Sequence, residues 1–199
     1  MDAYFIIGNN VDLTSFNFKD KFVVGIDKGA YLAYQVGIKL DYAVGDFDSI
    51  TVDELHVLEE VTKVVKLDPV KDETDTYYAL NMFKGFDNLY LLGGISGSRI
   101  DHFVANLKLF YDFKHLIMID NDTVIYEVNS ETEIHKDEYK YVSLFALEDV
   151  FDLTLTGFKY NLNNHFLSVR SGLGVSNEVL SLGKITYSKG RILLIKTKG

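Results

Sequence analysis

The chain reads as an α/β protein: a mostly parallel N-terminal sheet with flanking helices, followed by an all-β C-terminal sandwich domain. Three observations predict this. Short β-rich runs alternate with helical spacing over the first two-thirds of the sequence. Those runs are apolar on both sides, as parallel strands buried on both faces must be. After about residue 122 the helical spacing fades, and short β-rich runs split by polar turns take over.

In order, residues 4–7 and 22–26 read as strands, 30–36 as a helix, 42–44 as a strand and 52–60 as a helix. Residues 61–67 then read as a strand, 75–83 as a helix, 89–92 as a strand, 100–110 as a helix and 116–119 as a strand. In the C-terminal part, residues 123–128, 139–146, 153–156, 165–169, 184–187 and 192–196 read as short strands. No Pro/Gly-rich linker marks the join, and the change in texture near 122–130 divides the chain into domains 1–125 and 126–199.

The 199 residues include 47% apolar side chains, enough for a core of ordinary size. The absence of cysteine excludes disulfides and thiolate metal sites. A formal net charge of −9 argues against nonspecific nucleic-acid binding, though not against a nucleotide whose phosphates are neutralised locally. No apolar run approaches the roughly 20 residues of a membrane helix, and Met1-Asp2-Ala3-Tyr4 lacks the basic start of a signal peptide. A cytoplasmic protein that binds neither membrane nor nucleic acid is expected.

The most informative segment is Gly45-Asp46-Phe47-Asp48-Ser49, directly after the apolar run Tyr42-Ala43-Val44. Residues two apart on an extended chain point the same way, so Asp46 and Asp48 can face one site while Phe47 turns into the core. Two carboxylates about 4 Å apart repel by roughly 4 kcal/mol at an effective dielectric near 20, and a hard divalent ion such as Mg²⁺ relieves this. In sheets of this kind ligands bind at the carboxyl ends of strands, where this pair lies.

A second acidic group, Lys71-Asp72-Glu73-Thr74-Asp75, follows the strand at 61–67. Asp72 and Asp75 share a face if the segment is helical. Asp72 also suits a helix cap, with Asp75 completing a capping-box-like turn, and the two roles are compatible. The third element is Gly93-Gly94-Ile95-Ser96-Gly97-Ser98-Arg99-Ile100-Asp101-His102, between a strand and a helix. Its glycines let backbone N–H groups approach phosphate, and Arg99 adds a forked cationic donor. It also reads as an ordinary βα turn capped by Ser98, with Arg99 solvated. It lacks the P-loop ending and the dinucleotide glycine spacing. Asp27 ends the second strand and suits either a ligand contact or a helix cap. His102 reads as an orienting or structural residue rather than a base.

Taken in order, these motifs resemble the thiamine pyrophosphokinase family. The resemblance rests on Asp27-x-Gly29-Ala30, Gly45-Asp46-Phe47-Asp48-Ser49, Lys71-Asp72-x-Thr74-Asp75 and Gly94-x-Ser96-Gly97-Ser98-Arg99-x-Asp101-His102 with Ala105-Asn106-Leu107. Thr156-Gly157-Phe158-Lys159-Tyr160 and Ser176-Asn177-Glu178 extend it into the C-terminal part. Lys28, Tyr77 and Phe158 depart from the usual pattern.

The resemblance implies an α/β domain that binds nucleotide and metal, a β-sandwich that binds thiamine, and a homodimer with its active site where the subunits meet. It implies transfer of diphosphate from ATP to the thiamine hydroxyl, with AMP released and Mg²⁺ as cofactor. Asp46, Asp48, Asp72 and Asp75 are then the catalytic and metal-binding set, with the general base either Asp48 or Asp75. Asp27, Lys71, Gly94, Ser96, Gly97, Ser98, Arg99, Asp101 and His102 are the expected ATP contacts. Thr74, Ser176 and Asn177 are the expected thiamine contacts. Two other readings remain: a haloacid-dehalogenase-type phosphohydrolase with Asp46 as nucleophile, and a non-catalytic nucleotide or thiamine sensor. Against the first, two strands precede the acidic pair. Against the second, binding alone does not need so many buried charges.

Overall fold

Alternating apolar runs and helices fold into a parallel sheet whose carboxyl ends carry the acidic motifs. A computed structural model describes residues 1–8 and 11–199, which fall into two compact units, Met1–Asn121 and Asp122–Gly199.

The first unit runs β1 (Asp2–Ile6), β2 (Phe22–Ile26), α1 (Lys28–Gln35), β3 (Tyr42–Gly45), α2 (Val52–Val61) and β4 (Lys63–Lys66). It continues with α3 (Asp75–Met82), β5 (Asn88–Leu92), α4 (Ile100–Lys108) and β6 (Leu116–Ile119). The strands lie in the order β4-β3-β2-β1-β5-β6, all parallel to their neighbours. The chain therefore walks outward from β1 to β4 and then returns to β5 on the far side of β1. Connections leave β1 and β5 in opposite directions, which opens a crevice at their carboxyl ends.

Ile6, Val23, Ala30, Ala33, Ala43, Phe47, Leu58 and Leu92 form a buried core in this unit. Their position on both strands and helices explains why the strand runs are apolar throughout rather than alternating. Helix α2 is started by a capping box: the Thr51 hydroxyl accepts from the Glu54 N–H while the Glu54 carboxylate accepts from the Thr51 N–H.

Two expectations are corrected here. The strand expected at 61–67 is confined to Lys63–Lys66, because α2 runs on through Val61 and ends at Thr62. The helix expected at 100–110 is α4 followed by a 3-10 turn over Leu109–Tyr111.

The second unit is all β: β7 (Thr123–Val128), β8 (Glu131–His135), β9 (Tyr141–Phe158), β10 (Leu162–Leu167), β11 (Val179–Thr186) and β12 (Lys189–Thr197). Every pairing within it is antiparallel. The first half of β9 pairs with β12, and its second half pairs with β10 and β11. One strand thus serves two sheets, a recurrent way of turning a corner in stacked β structures. Val128, Leu144, Val150, Leu153, Phe158, Ile185 and Leu194 fill the shared core. The two strands expected at 139–146 and 153–156 are therefore one strand. The polar stretch Glu148-Asp149 that reads as a turn is an exposed stretch of continuous β9, next to a register shift against β12. Strand β8 was not anticipated; its burial pattern has a single buried residue, Ile134, and so little apolar signal.

Candidate active site

Five of the six strands of the parallel sheet lead to site residues at the same rim. Asp27 follows β2, Asp46 follows β3, Asp75 opens α3 after β4, Gly93 and Gly94 follow β5, and Asp120 follows β6. Carboxylate oxygens of Asp27, Asp46 and Asp75 all lie within 4.8 Å of one another. The local backbone explains this convergence. Phe47 is buried in the core with φ 59°, a left-handed conformation that costs a non-glycine residue about 1–2 kcal/mol. Its ring anchors the loop, and its N–H donates to Asp27 Oδ1 at 3.3 Å. Gly45 is needed beneath that carboxylate, since a Cβ there would lie 1.9 Å from Asp27 Oδ1. On the third side, the Thr74 hydroxyl accepts from the Tyr77 N–H and fixes the start of α3, so that Asp75 sits in the first turn, where a helix N-terminus favours an anion.

Lys71 sits among these acids. Its Nζ is 3.1 Å from Asp75 Oδ1, 3.5 Å from Asp46 Oδ2, and within hydrogen-bond reach of the Asp68 carbonyl oxygen at 3.0 Å. The Lys71, Asp46 and Asp75 side chains are only 10%, 14% and 18% exposed. Desolvation opposes the lysine's charge, but Asp75 and Asp46 outweigh it and hold the ammonium above the ordinary lysine range. Burial pushes the Asp27 carboxyl up to about 6; the charge of Asp75 adds to this, and the Phe47 N–H works against it. Asp75 Oδ1 is buried without a well-formed hydrogen bond, the ammonium nearby notwithstanding. A compact set of hard oxygen donors with one oxygen left over is the kind of donor set that suits Mg²⁺.

The other half of the rim is made by the glycine-rich segment. Gly94 has φ 75°, and a Cβ on it would lie 2.3 Å from Ile7 Cδ1 and 2.7 Å from Asn106 Nδ2. Buried Asn106, on α4, donates to the Gly94 carbonyl at 3.1 Å and holds the turn against the helix. The Ser96 hydroxyl donates to buried Asp120 at 2.9 Å. A cavity of about 280 Å³ opens here, lined by Gly8, Asp27, Gly94, Ser96, Gly97, Ser98, Arg99 and His102 among others. It lies at the reversal of strand order between β1 and β5. Arg99 and Asp101 are two-thirds exposed and joined side by side, Nη2 to Oδ2 at 2.8 Å, with Arg99 also reaching His102 Nε2. The guanidinium contact draws the Asp101 carboxyl down to about 2. A second cavity of about 560 Å³, lined by Thr74, Tyr77, Asp101, Val104 and Tyr111 among others, lies between α3 and α4.

Two family models match the chain: "Thiamin pyrophosphokinase, catalytic domain" over residues 13–120, and "Thiamin pyrophosphokinase, vitamin B1 binding domain" over residues 131–192. A thiamine pyrophosphokinase from Bacillus subtilis is 34% identical over 196 residues, covering 94% of this chain and 92% of the relative. The chain belongs to the thiamine pyrophosphokinase family. Solved structures agree. A Bacillus subtilis thiamine pyrophosphokinase superposes with a TM-score of 0.88 at 33% identity, covering all of both chains. A family protein from Enterococcus faecalis gives 0.87 at 25% identity, again covering all of both chains.

Within this thiamine pyrophosphokinase fold, the structure sorts the expected acidic set. Asp46 and Asp75 come together as the motifs suggest. Asp48 is exposed on the following turn, where its N–H donates to Asp46 Oδ1 at 3.2 Å. It lies outside the compact carboxylate group although its charge still reaches Asp27. Asp72 is exposed and also outside that group. The alternative reading of Asp72 as a helix cap is corrected, because Thr74 holds the cap. Arg99, not Ser98, stands at the start of α4, with no side-chain cap bond. Asp27 occupies the cap position of α1 without capping it; its carboxylate is turned into the acidic group instead.

Sequence reasoning therefore missed Asp27 as a third carboxylate. The available signal was its place at the end of a strand adjacent to β3. It also missed Asp120, whose only signal is its place at the end of β6. In the second unit, Ser176 is exposed with φ 58°, and its N–H donates to Ser143 Oγ. Asn177 is buried; its amide donates to the Tyr160 carbonyl and accepts from the Tyr160 and Glu178 N–H groups. Among the described residues no helix is long and apolar enough to cross a membrane.

Proposed function

We propose that this enzyme, whose family forms thiamine diphosphate from thiamine, takes the diphosphate intact from ATP and releases AMP. One observation carries this reading: an acidic triad and a glycine-lined cavity at the strand-order reversal share one rim of the sheet and meet at Asp27. ATP brings about four negative charges, and setting it beside Asp27, Asp46 and Asp75 is unfavourable without a cation. Asp27, Asp46 and Asp75 would hold Mg²⁺, which would supply charge neutralisation for the phosphates, with Asp48 and Asp72 adding negative charge outside that compact group.

The chain's own groups do the rest. N–H groups of residues 94–98 and the Arg99 guanidinium bind the polyphosphate, with Asp101 orienting Arg99 and His102 beside it. Lys71, a mostly buried cation beside Asp75, meets the transferred group in this reading. The thiamine hydroxyl attacks the β-phosphorus in line, its proton passing to Asp48 or Asp75. Positioning and electrostatics account for most of the rate in such transfers.

Thiamine is cationic, so the acidic rim favours its approach. Thr74 and, from the β domain, the exposed Ser176 are its anchors in this reading, while Asn177, expected beside them, holds the turn through the Tyr160 backbone. It includes a homodimer in which one subunit's β domain completes the partner's site, and a cytoplasmic location. The deciding experiment incubates the protein with ATP, Mg²⁺ and thiamine and measures the products. Equal amounts of AMP and thiamine diphosphate support the reading. ADP with thiamine monophosphate, or no product, overturns it. Activity per subunit that falls on dilution, in step with sedimentation to a monomer, tests the dimer.

A further inference from the structure

The carboxylate triad is already neutralised in part without any metal, by a residue of the chain. Lys71 reaches it from the irregular segment between β4 and α3 rather than from a helix or strand. Its ammonium stands 3.1 Å from Asp75 and 3.5 Å from Asp46, in a pocket where its side chain is 10% exposed. Those distances are longer than the 2.7–2.9 Å or so of a well-formed charged hydrogen bond. Asp75 Oδ1 correspondingly lacks such a bond. The ammonium thus balances charge among the acids without saturating them. A divalent ion drawn to the same oxygens would stand within a few ångströms of the ammonium, and with its double charge the two repel about twice as strongly as two carboxylates at the same distance. Both cannot be held there at full strength. Lysine is suited to leave, since a compact charge on a flexible four-carbon stem can swing away without unfolding an element.

We propose that Lys71 is a resident counter-ion that competes with divalent metal for Asp46 and Asp75. In the nucleotide-free enzyme it keeps the acids together and weakens binding of free metal. When nucleotide arrives, the phosphates draw the ammonium off the carboxylates and the metal takes its place. Metal and nucleotide therefore enter as a coupled pair. This rests on the carboxylates being metal ligands, as set out above.

The test titrates Mn²⁺ alone, without nucleotide, into the full-length protein and follows water-proton relaxation. Wild type, Lys71→Gln, Lys71→Met and the double variant Lys71→Gln/Asp46→Asn are compared. Both single variants are expected to bind Mn²⁺ at least about tenfold more tightly than wild type, the sign set by removal of a nearby like charge. The double variant is expected to lose that gain. In EDTA the single variants should melt below wild type, and Mn²⁺ should raise their midpoints by more than it raises the wild-type one. A Lys71 variant that folds only with Mn²⁺ present is the same result in stronger form. Mn²⁺ affinity equal to or weaker than wild type in both single variants overturns the proposal, as does tightening that survives Asp46→Asn. If diphosphate transfer remains metal-dependent in that case, this inference alone fails. Transfer that needs no metal overturns the underlying functional reading instead.

Discussion

The two halves of the rim are built on opposite principles. On the β2–β4 side, Asp27, Asp46 and Asp75 are held by a buried phenylalanine, a glycine without room for a side chain, and a capped helix, with a lysine among them. On the β5 side, a glycine-rich turn opens to a cavity, and its charged residues Arg99 and Asp101 are mostly exposed. The first half is preorganised, as groups must be if they are to hold a small cation in fixed geometry. The second half is open, as the proposed entry and exit of a long flexible polyphosphate requires. The difference teaches that charge placement is settled by burial on one side and left to exposed side chains on the other.

Several changes should break or sharpen that contrast. Asp46→Asn or Asp75→Asn should lower kcat by about a hundredfold or more, since each removes a charged donor from the fixed half. Circular dichroism should show the fold intact, and near-normal turnover in both variants would sink the assignment. Gly45→Ala should come next, with a loss of about tenfold or more, because its Cβ would meet Asp27 Oδ1 at 1.9 Å and must displace that carboxylate. A kcat close to wild type would mean that Asp27 is not needed where it stands.

On the open half, Arg99→Ala should act mainly on KM for ATP, raising it by about tenfold, the worth of one charge-assisted contact. Its thermal midpoint should stay at the wild-type value, since the Arg99–Asp101 pair is exposed. A large fall in stability would show that this half, too, is structurally fixed.

A further effect is a pH dependence of metal-free stability. Asp27 has its folded pKa raised from 3.8 to about 6, so the folded state binds more protons than the unfolded state between those values. Stability should therefore fall as pH rises through that window, with the full penalty present above about 6 and none below 3.8. In EDTA, the thermal midpoint of Asp27→Asn relative to wild type should be higher at pH 7.5 than at pH 4.5. A constant difference would contradict burial and neighbouring acids as the cause of the shift.

The β domain offers a further lesson about legibility. In the inner strands of the parallel sheet, apolar runs coincide with strands because both faces are covered, whereas edge strand β4 has no fully buried residue and is shorter than its run. In the second unit, β8 carries one buried residue, and β9 passes through Glu148-Asp149 without breaking, because a register shift against β12 interrupts the alternation and leaves both residues exposed. Composition that reads as a turn is only an exposed edge. Ser176-Asn177 shows the same limit: the pair is visible as a motif, but only packing reveals that one side chain is exposed and the other is committed to the Tyr160 backbone.

By itself the sequence determined the α/β-then-β architecture, the family, and the acidic and glycine-rich segments proposed to carry the chemistry. Those follow from local pattern: burial period, strand ends and motif order. Tertiary structure alone decided that Asp27 rather than Asp48 or Asp72 completes the compact acidic group, that Lys71 stands within it, and that the cavity opens at the reversal between β1 and β5. Those depend on which strands become neighbours and which side chains a buried Phe47 and a bare Gly45 leave room for, and no spacing along the chain encodes distances across a sheet.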